Sequence, residues 1–271
     1  MTVEELNRFG EELESLLLLR YSPIALKVLH QESEIPEGTL RPFRDRGQHL
    51  AMCQAYAMVR RDRKAITMLA EDHWCVWPLV SFGMKSVSEE MAQEAGTKFF
   101  MKDPQKSLAY FREEYPRLND TGVIGFTLAP LRSCKFVPDL VTIYCRPAQI
   151  RSLQMAAKFH SGKMLSLKLD PVDSCVHSSI PVLNGQDYNI TFPDPGEYER
   201  ALANEDEVMF TLKREKLPEI LEALRFLSSA HFGYQELSMS MITDFPRPEF
   251  YNDMFGAWGL STGEVWRKGE E

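Results

Sequence analysis

The chain has 271 residues, of which 44% are hydrophobic and 26% charged, and its 31 basic and 39 acidic side chains give a formal net charge of −8. This composition is ordinary for a globular protein, and the length suits one large domain or two small ones. The acidic balance excludes a protein that binds nucleic acid non-specifically, because such a protein needs a basic face.

The sequence also lacks the marks of membrane insertion and secretion. No run approaches the roughly 20 apolar residues of a membrane-spanning helix. Acidic side chains such as Glu4, Glu5 and Glu11 stand where a secretory signal carries positive charge. Five cysteines are too few for a disulfide scaffold. We therefore predict a cytoplasmic protein of a reducing compartment, with neither a nucleic-acid nor a membrane partner.

Hydrophobic periodicity predicts helices and strands that alternate along the chain. The first helix is amphipathic and begins at a capping box formed by Thr2 and Glu5. Residues 31–46 and 193–205 are predicted loops. The predicted helices are 3–19, 48–61, 76–83, 147–160 and 217–227, with a polar helical region over 86–115 broken at Gly96 and Pro104. The predicted strands are 23–29, 65–69, 122–128, 140–145, 164–169 and 206–213.

This order of elements predicts an α/β (or α+β) fold with a mixed β-sheet flanked by helices. Residues 1–230 are expected to form a single domain. The tail over 231–271 is rich in aromatic residues, among them Trp258 and Trp266. We expect the tail to pack on the body or on a second subunit, which would make the protein a homo-oligomer.

The common catalytic signatures are absent, but three cysteines have distinctive surroundings. The sequence has no glycine-rich dinucleotide or phosphate loop, no H-E-x-x-H, no G-x-S-x-G and no C-x-x-C. Cys53 lies in a predicted helix, Cys75 at a predicted strand-to-helix turn and Cys175 in a predicted loop after a strand. Their spacings match no local metal motif. Cys134 and Cys145 are interpreted as small buried apolar groups.

The order of several motifs resembles that of the uncharacterised ArCR family, number 169 among the domains of unknown function. The resemblance covers about residues 15–228. It is carried by Ser22-Pro-Ile-Ala-Leu-Lys-Val, Cys53-Gln-Ala-Tyr-Ala, Cys75 ahead of Gly83, Ala129-Pro-Leu, Pro138-Asp-Leu-Val-Thr-Ile-Tyr, Pro147-Ala-Gln-Ile, Cys175, Pro193-Asp-Pro-Gly196 and Asp206-Glu-Val-Met-Phe. The resemblance implies that Cys53, Cys75 and Cys175 occupy the family's cysteine positions. It also implies a protein type common in anaerobic bacteria and archaea, but no activity.

From these residues we predict that Cys53, Cys75 and Cys175 converge and bind a metal centre. Soft thiolate ligands select iron–sulfur clusters or zinc. Three thiolates on a four-iron cluster leave one iron open for anaerobic redox or small-molecule chemistry. His177, or alternatively His73, could instead complete a structural Cys3His zinc site.

Two other functions remain open at the level of the sequence. Cys75 could be a nucleophile paired with His73 or His177, oriented by Asp72 or Asp173. The chain could also be a non-catalytic protein that binds a small molecule or acts in assembly. Trp74, Trp77 and His177 are the expected walls of the cleft. Asp194, Glu197 and Arg200 could bind a polar substrate, although a structural turn is the better interpretation of that segment.

Overall fold

The computed structural model describes residues 1–170, 172–236 and 249–259. The chain divides into two compact units, Met1–Glu236 and Leu237–Glu271. The larger unit contains the sheet and all candidate site residues. In the smaller unit, one helix is described, and Trp258 is exposed. Trp266 lies outside the described residues, so the packing of the aromatic tail stays a prediction.

The helices of the described residues are numbered α1 to α11 in chain order. They are α1 (Val3–Leu17), α2 (Pro42–Arg46), α3 (Met52–Asp62), α4 (Val76–Ser81), α5 (Glu89–Phe99), α6 (Pro104–Glu113), α7 (Pro147–Phe159), α8 (Ser174–Leu183), α9 (Pro195–Arg200), α10 (Leu217–Ser229) and α11 (Glu249–Ala257). Within these ranges, no helix is long and apolar enough to cross a membrane.

Six strands form one sheet in the order β2-β3-β1-β4-β6-β5. The strands are β1 (Ile24–Leu29), β2 (Ile66–Leu69), β3 (Gly125–Pro130), β4 (Leu140–Cys145), β5 (Tyr188–Thr191) and β6 (Val208–Lys213). All neighbouring strands pair antiparallel, including β1 with β3 and β4 with β6. The predicted α/β class is confirmed, while the pairing of these strands is antiparallel rather than mixed.

Helices cover both faces of the sheet, which explains why its central strands are mostly apolar. Alternate side chains of β1 enter different cores: Leu26 packs on one face and Ala25 on the other. The first core lies between the sheet and α3, α4, α6 and α8. The second lies between the sheet and α1, α7 and α10. The candidate site is built on the first of these faces.

Two helices begin where local sequence patterns predicted that they would begin. Thr2 and Glu5 form the predicted capping box, in which the Thr2 hydroxyl accepts from the Glu5 amide and the Glu5 carboxylate accepts from the Thr2 amide. Pro147 stands in the first turn of α7, where its missing N–H leaves no hydrogen bond unmade. Both elements lie close to their predicted ranges.

The predicted strand over 164–169 is wrong. Leu165 and Leu167 pack on the second core and Met164 is exposed, as the alternation predicts, but Leu169, expected on the buried face, is exposed. Among the described residues this segment pairs with no strand, so its leucines are buried without a hydrogen-bonded ladder. The sheet instead gains β5, a four-residue edge strand that pairs with β6.

Gly96 does not break the helical region over 86–115 as predicted. It lies inside α5, where a Cβ atom would stand 2.3 Å from the Ser107 hydroxyl oxygen of α6. That hydroxyl accepts from the Gly96 amide and donates to the Ala92 carbonyl. The glycine therefore allows close contact between α5 and α6 rather than ending a helix.

Candidate functional site

Cys53, Cys75 and Cys175 line a single pocket of about 620 Å³. They are carried by α3, α4 and α8, which cover one face of the sheet. Cys134 and Cys145 belong to the core on the opposite face. The fold therefore brings together three cysteines that are 22 and 100 residues apart in sequence and keeps the other two away from them.

Each of the three cysteines lies at the start of a helix. Cys53 is the second residue of α3, Cys75 is the N-cap of α4, and Cys175 is the second residue of α8. The predicted loop position of Cys175 is wrong, because α8 was obscured by Pro181 inside it. Pro181 cannot donate to the His177 carbonyl, and the Asn189 side chain donates to that oxygen instead.

Burial dominates the acid–base properties of these thiols. It raises the pKa of Cys53 to about 12, with a smaller contribution from Glu197. It raises the pKa of Cys75 to about 11 and that of Cys175 well above its ordinary value. All three groups are therefore protonated thiols at neutral pH in the metal-free protein.

A buried hydroxyl group interacts with Cys175. Tyr56 of α3 is fully buried, and its hydroxyl makes no hydrogen bond of normal length, although the Ser178 and Ser179 hydroxyls of α8 interact with it. Burial, followed by the neighbouring Cys175, raises the pKa of Tyr56, so the hydroxyl keeps its proton and remains a donor. A thiolate at Cys175 would be a stronger acceptor for this proton than a serine hydroxyl, because hydrogen bonds to charged groups are the stronger ones. The Tyr56 hydroxyl therefore suits a pocket whose thiols become deprotonated when a metal group binds.

Aromatic side chains form much of the pocket wall. Trp77 stacks on Phe111 of α6 with ring centroids 5.4 Å apart. Trp74 is half exposed, and its indole N–H donates to the Gln54 side chain at 3.0 Å. Phe100, at the end of α5, completes this part of the lining. The predicted wall positions of Trp74 and Trp77 agree with the lining of the pocket.

A buried acidic residue joins two of the helices around the pocket. Asp194 is the N-cap of α9, where its Oδ1 accepts from the Glu197 amide at 2.9 Å. Its Oδ2 accepts from the amide and hydroxyl of Ser174, the first residue of α8. One carboxylate therefore fixes the starts of both α8 and α9. The spacing Asp194-x-x-Glu197 is a helix-start pattern that could have revealed α9 from the sequence.

Glu197 is fully buried and lies outside the lining of the pocket. Its carboxyl group accepts a hydrogen bond from the Tyr144 hydroxyl at 2.7 Å, and its Oε1 lies 2.8 Å from the Ser174 hydroxyl oxygen. Burial, and then the negative charge of Asp194, raise the pKa of Glu197 to about 7. Sequence reasoning missed this role, since Tyr144 is 53 residues away along the chain.

We expect Glu197→Gln to weaken the pH dependence of stability. The folded protein holds the Glu197 proton up to about pH 7, whereas the ordinary pKa is 4.5. Between these values the folded state binds more protons than the unfolded state, so the free energy of unfolding falls as pH rises. Denaturant unfolding of the metal-free protein near pH 5 and near pH 7 measures this slope. Exposed Glu205→Gln serves as the control, and an unchanged slope in Glu197→Gln contradicts the prediction.

His177 is not brought to the cysteine pocket. It lines a different pocket of about 430 Å³, where its Nε2 is 3.3 Å from the Tyr110 hydroxyl. That hydroxyl donates to Asp170. His73 packs edge-on against Phe126, and burial lowers its pKa to about 4. Neither histidine lines the pocket that the three thiols share.

The donor chemistry of the pocket fits a metal group held by thiolates, but the side chains do not form a ready-made site. In the part of the chain that the structure describes, no three His, Cys, Asp or Glu side chains are grouped to hold a metal ion. The three thiols are nevertheless the soft donors that iron and zinc prefer, and the Tyr56 hydroxyl interacts with one of them, Cys175. A bound metal group would have to displace the thiol protons.

Comparison with known proteins identifies relatives but no activity. The model of a family described as "Uncharacterised ArCR" matches residues 12–223. An uncharacterised protein of Methanocaldococcus jannaschii is 23% identical over 235 residues, which cover 83% of this chain and 95% of that protein. No solved structure matches the chain.

Proposed function

The chain belongs to the uncharacterised ArCR family, and because that description names no activity, we propose a function from the residues of the pocket. Cys53, Cys75 and Cys175 hold an iron–sulfur cluster of the four-iron type, with one iron open to a small molecule. The protein works in a reducing, cytoplasmic setting without oxygen. The convergence of these three thiols on one pocket, away from Cys134 and Cys145, is the observation that supports the proposal.

The surroundings of the pocket suit this group. When bound, the cluster would supply electron transfer, or a Lewis-acidic iron for a substrate. Tyr56 would donate a hydrogen bond to the Cys175 sulfur, a contact of the kind that tunes a cluster's potential. Trp77 and Phe100 would keep water away from the open position.

A cysteine nucleophile is a poorer explanation of the same residues. A catalytic thiol needs a lowered pKa or an adjacent base. Burial instead raises the pKa of Cys75 to about 11, and the pocket lining contains no histidine. A zinc site with His177 is also less favoured, because this histidine lies beside Tyr110 in a different pocket. A non-catalytic small-molecule-binding protein stays an alternative.

Metal and sulfide analysis of protein purified without oxygen tests the proposal. We expect iron and inorganic sulfide in equal amounts, with a broad visible absorbance that bleaches on reduction. Protein that holds neither, even after reconstitution with iron and sulfide, would contradict the iron–sulfur proposal. One zinc ion per chain in place of iron would favour the zinc alternative.

A further inference from the structure

Arg200 is the cation of the pocket lining, and part of its hydrogen-bonding capacity is unused. Its guanidinium carbon lies 5.0 Å from the centroid of the Trp74 ring. One terminal nitrogen, Nη1, donates to the exposed Glu199 carboxylate at 3.0 Å. Its Nε is buried and has no hydrogen-bond partner. The stacked guanidinium therefore lines the same pocket as the three thiols, and its Nη2 makes no hydrogen bond within the described residues.

Gly196 makes the space in which the guanidinium lies. A Cβ atom at Gly196 would stand 2.2 Å from Arg200 Nη2 and 2.8 Å from its Cζ. The φ angle of Gly196 is not positive, so the backbone does not require glycine here. The absence of a side chain instead allows Arg200 to fold back over the first turn of α9. An alanine would displace the flexible end of Arg200, and its Cβ would also stand 3.0 Å from Asp194 Oδ1, so the metal content of this variant is measured beside its ligand binding.

The two acidic groups of the lining have partners of their own. Asp194 accepts from the Ser174 and Glu197 amides at the starts of α8 and α9. Asp173 accepts from the Tyr115 hydroxyl at 3.2 Å. Neither carboxylate lies within 4 Å of the Arg200 guanidinium nitrogens, whose ion-pair partner is Glu199 on the protein surface. Arg200 is thus free to pair with an anionic group inside the pocket.

We propose that the pocket binds a small carboxylate with a flat, apolar body, and that Arg200 is the residue that recognises the carboxylate. A guanidinium matches a carboxylate with two parallel hydrogen bonds, which an ammonium or a neutral amide cannot reproduce. The apolar remainder of the molecule packs against Trp74, Trp77 and Val76. The inference rests on the proposed function in taking this pocket as the working site, and it deepens that function by naming the class of ligand.

Benzoate and its neutral analogue benzamide test the inference on the full chain. Calorimetric titration is run on protein without metal and again after reconstitution with iron and sulfide in the absence of oxygen. In the wild-type protein we expect benzoate to bind with a Kd about tenfold lower than that of benzamide, because only benzoate forms a charge-assisted pair with Arg200. Arg200→Gln is expected to remove most of this preference.

Two further variants separate recognition of charge from damage to the fold. Gly196→Ala keeps the arginine but displaces its guanidinium, so it should lose the benzoate preference as Arg200→Gln does. Exposed Arg44→Gln, outside the pocket, should change nothing. Circular dichroism and thermal unfolding verify that each variant is folded.

The outcomes distinguish the inference from the proposed function. Equal affinity for benzoate and benzamide in the wild-type protein, or a preference that survives in both Arg200→Gln and Gly196→Ala, would overturn the inference. A benzoate preference in protein that never takes up iron would support the carboxylate site while the iron–sulfur proposal fails.

Discussion

Replacing any one of Cys53, Cys75 or Cys175 by serine is expected to remove most of the bound iron. A serine hydroxyl is a hard, weak ligand at a site built from soft sulfur. Each of the three thiols lines the same pocket, so the loss of one leaves two protein ligands. Iron and sulfide per chain, measured on protein purified without oxygen, should fall by most of the wild-type amount in all three variants.

Cys134→Ser and Cys145→Ser are the matched controls for this experiment. Both cysteines are buried in the core on the other face of the sheet. The Cys134 sulfur contacts the Asn7 side chain at 3.3 Å, and the Cys145 sulfur contacts the Val208 carbonyl at 3.4 Å. Their replacement can lower stability but should leave the iron content near that of the wild type. Equal iron in all five variants would refute the assignment of the ligands.

The raised pKa values of the thiols add a pH dependence to metal uptake. Burial raises the pKa of Cys53 to about 12 and that of Cys75 to about 11, so each must lose a proton when it binds iron. Uptake should therefore release protons and become more favourable as pH increases. The same burial keeps the metal-free thiols unreactive toward alkylating reagents at neutral pH, because the thiolate is the reactive form.

The sheet was largely predictable because its central strands carry their own signal. β1 and β4 are buried on both faces, so their sequences are largely apolar and β-branched, with Lys27 the one charged residue of β1. β5 has no such run: its Asn189 hydrogen-bonds to α8, and its four residues depend on the neighbouring β6. Because β5 is an edge strand held by its pairing with β6, its own sequence carries no clear strand pattern.

The cysteines of the site and the two tryptophans of its wall were predictable. Cys53, Cys75 and Cys175 could be selected from their settings and from a family resemblance, without any spacing rule. The polar residues around them could be named as candidates, but their roles could not be predicted, because these roles come from contacts between distant segments. Asp194 joins α8 to α9 across 20 residues, and Glu197 reaches Tyr144 across 53. His177 is the reverse case. It is two residues from Cys175 in the sequence, but it lines a different pocket.

A buried ion pair behind the pocket leads to the largest expected change in stability. Arg60 of α3 and Glu207, one residue before β6, are almost fully buried, with Arg60 Nη1 3.0 Å from Glu207 Oε1. The Arg60 guanidinium also lies over the Tyr144 ring at 4.1 Å. Its Nη2 donates to the carbonyls of Ala201 and Leu202, the residues that follow α9. Arg60 therefore anchors the helix that supplies Gly196 and Arg200.

Arg60→Met is expected to lower the free energy of unfolding by about 3–5 kcal/mol, because it leaves the Glu207 charge buried without a partner. Arg60→Met combined with Glu207→Leu should cost less than Arg60→Met alone, since no charge then remains buried. The adjacent pair Arg20–Asp206 is the control: its groups are about half exposed, so Arg20→Met should cost no more than about 1 kcal/mol. Denaturant unfolding measures all three variants, and equal losses in Arg60→Met and Arg20→Met would show that the buried pair does not hold α9 in place.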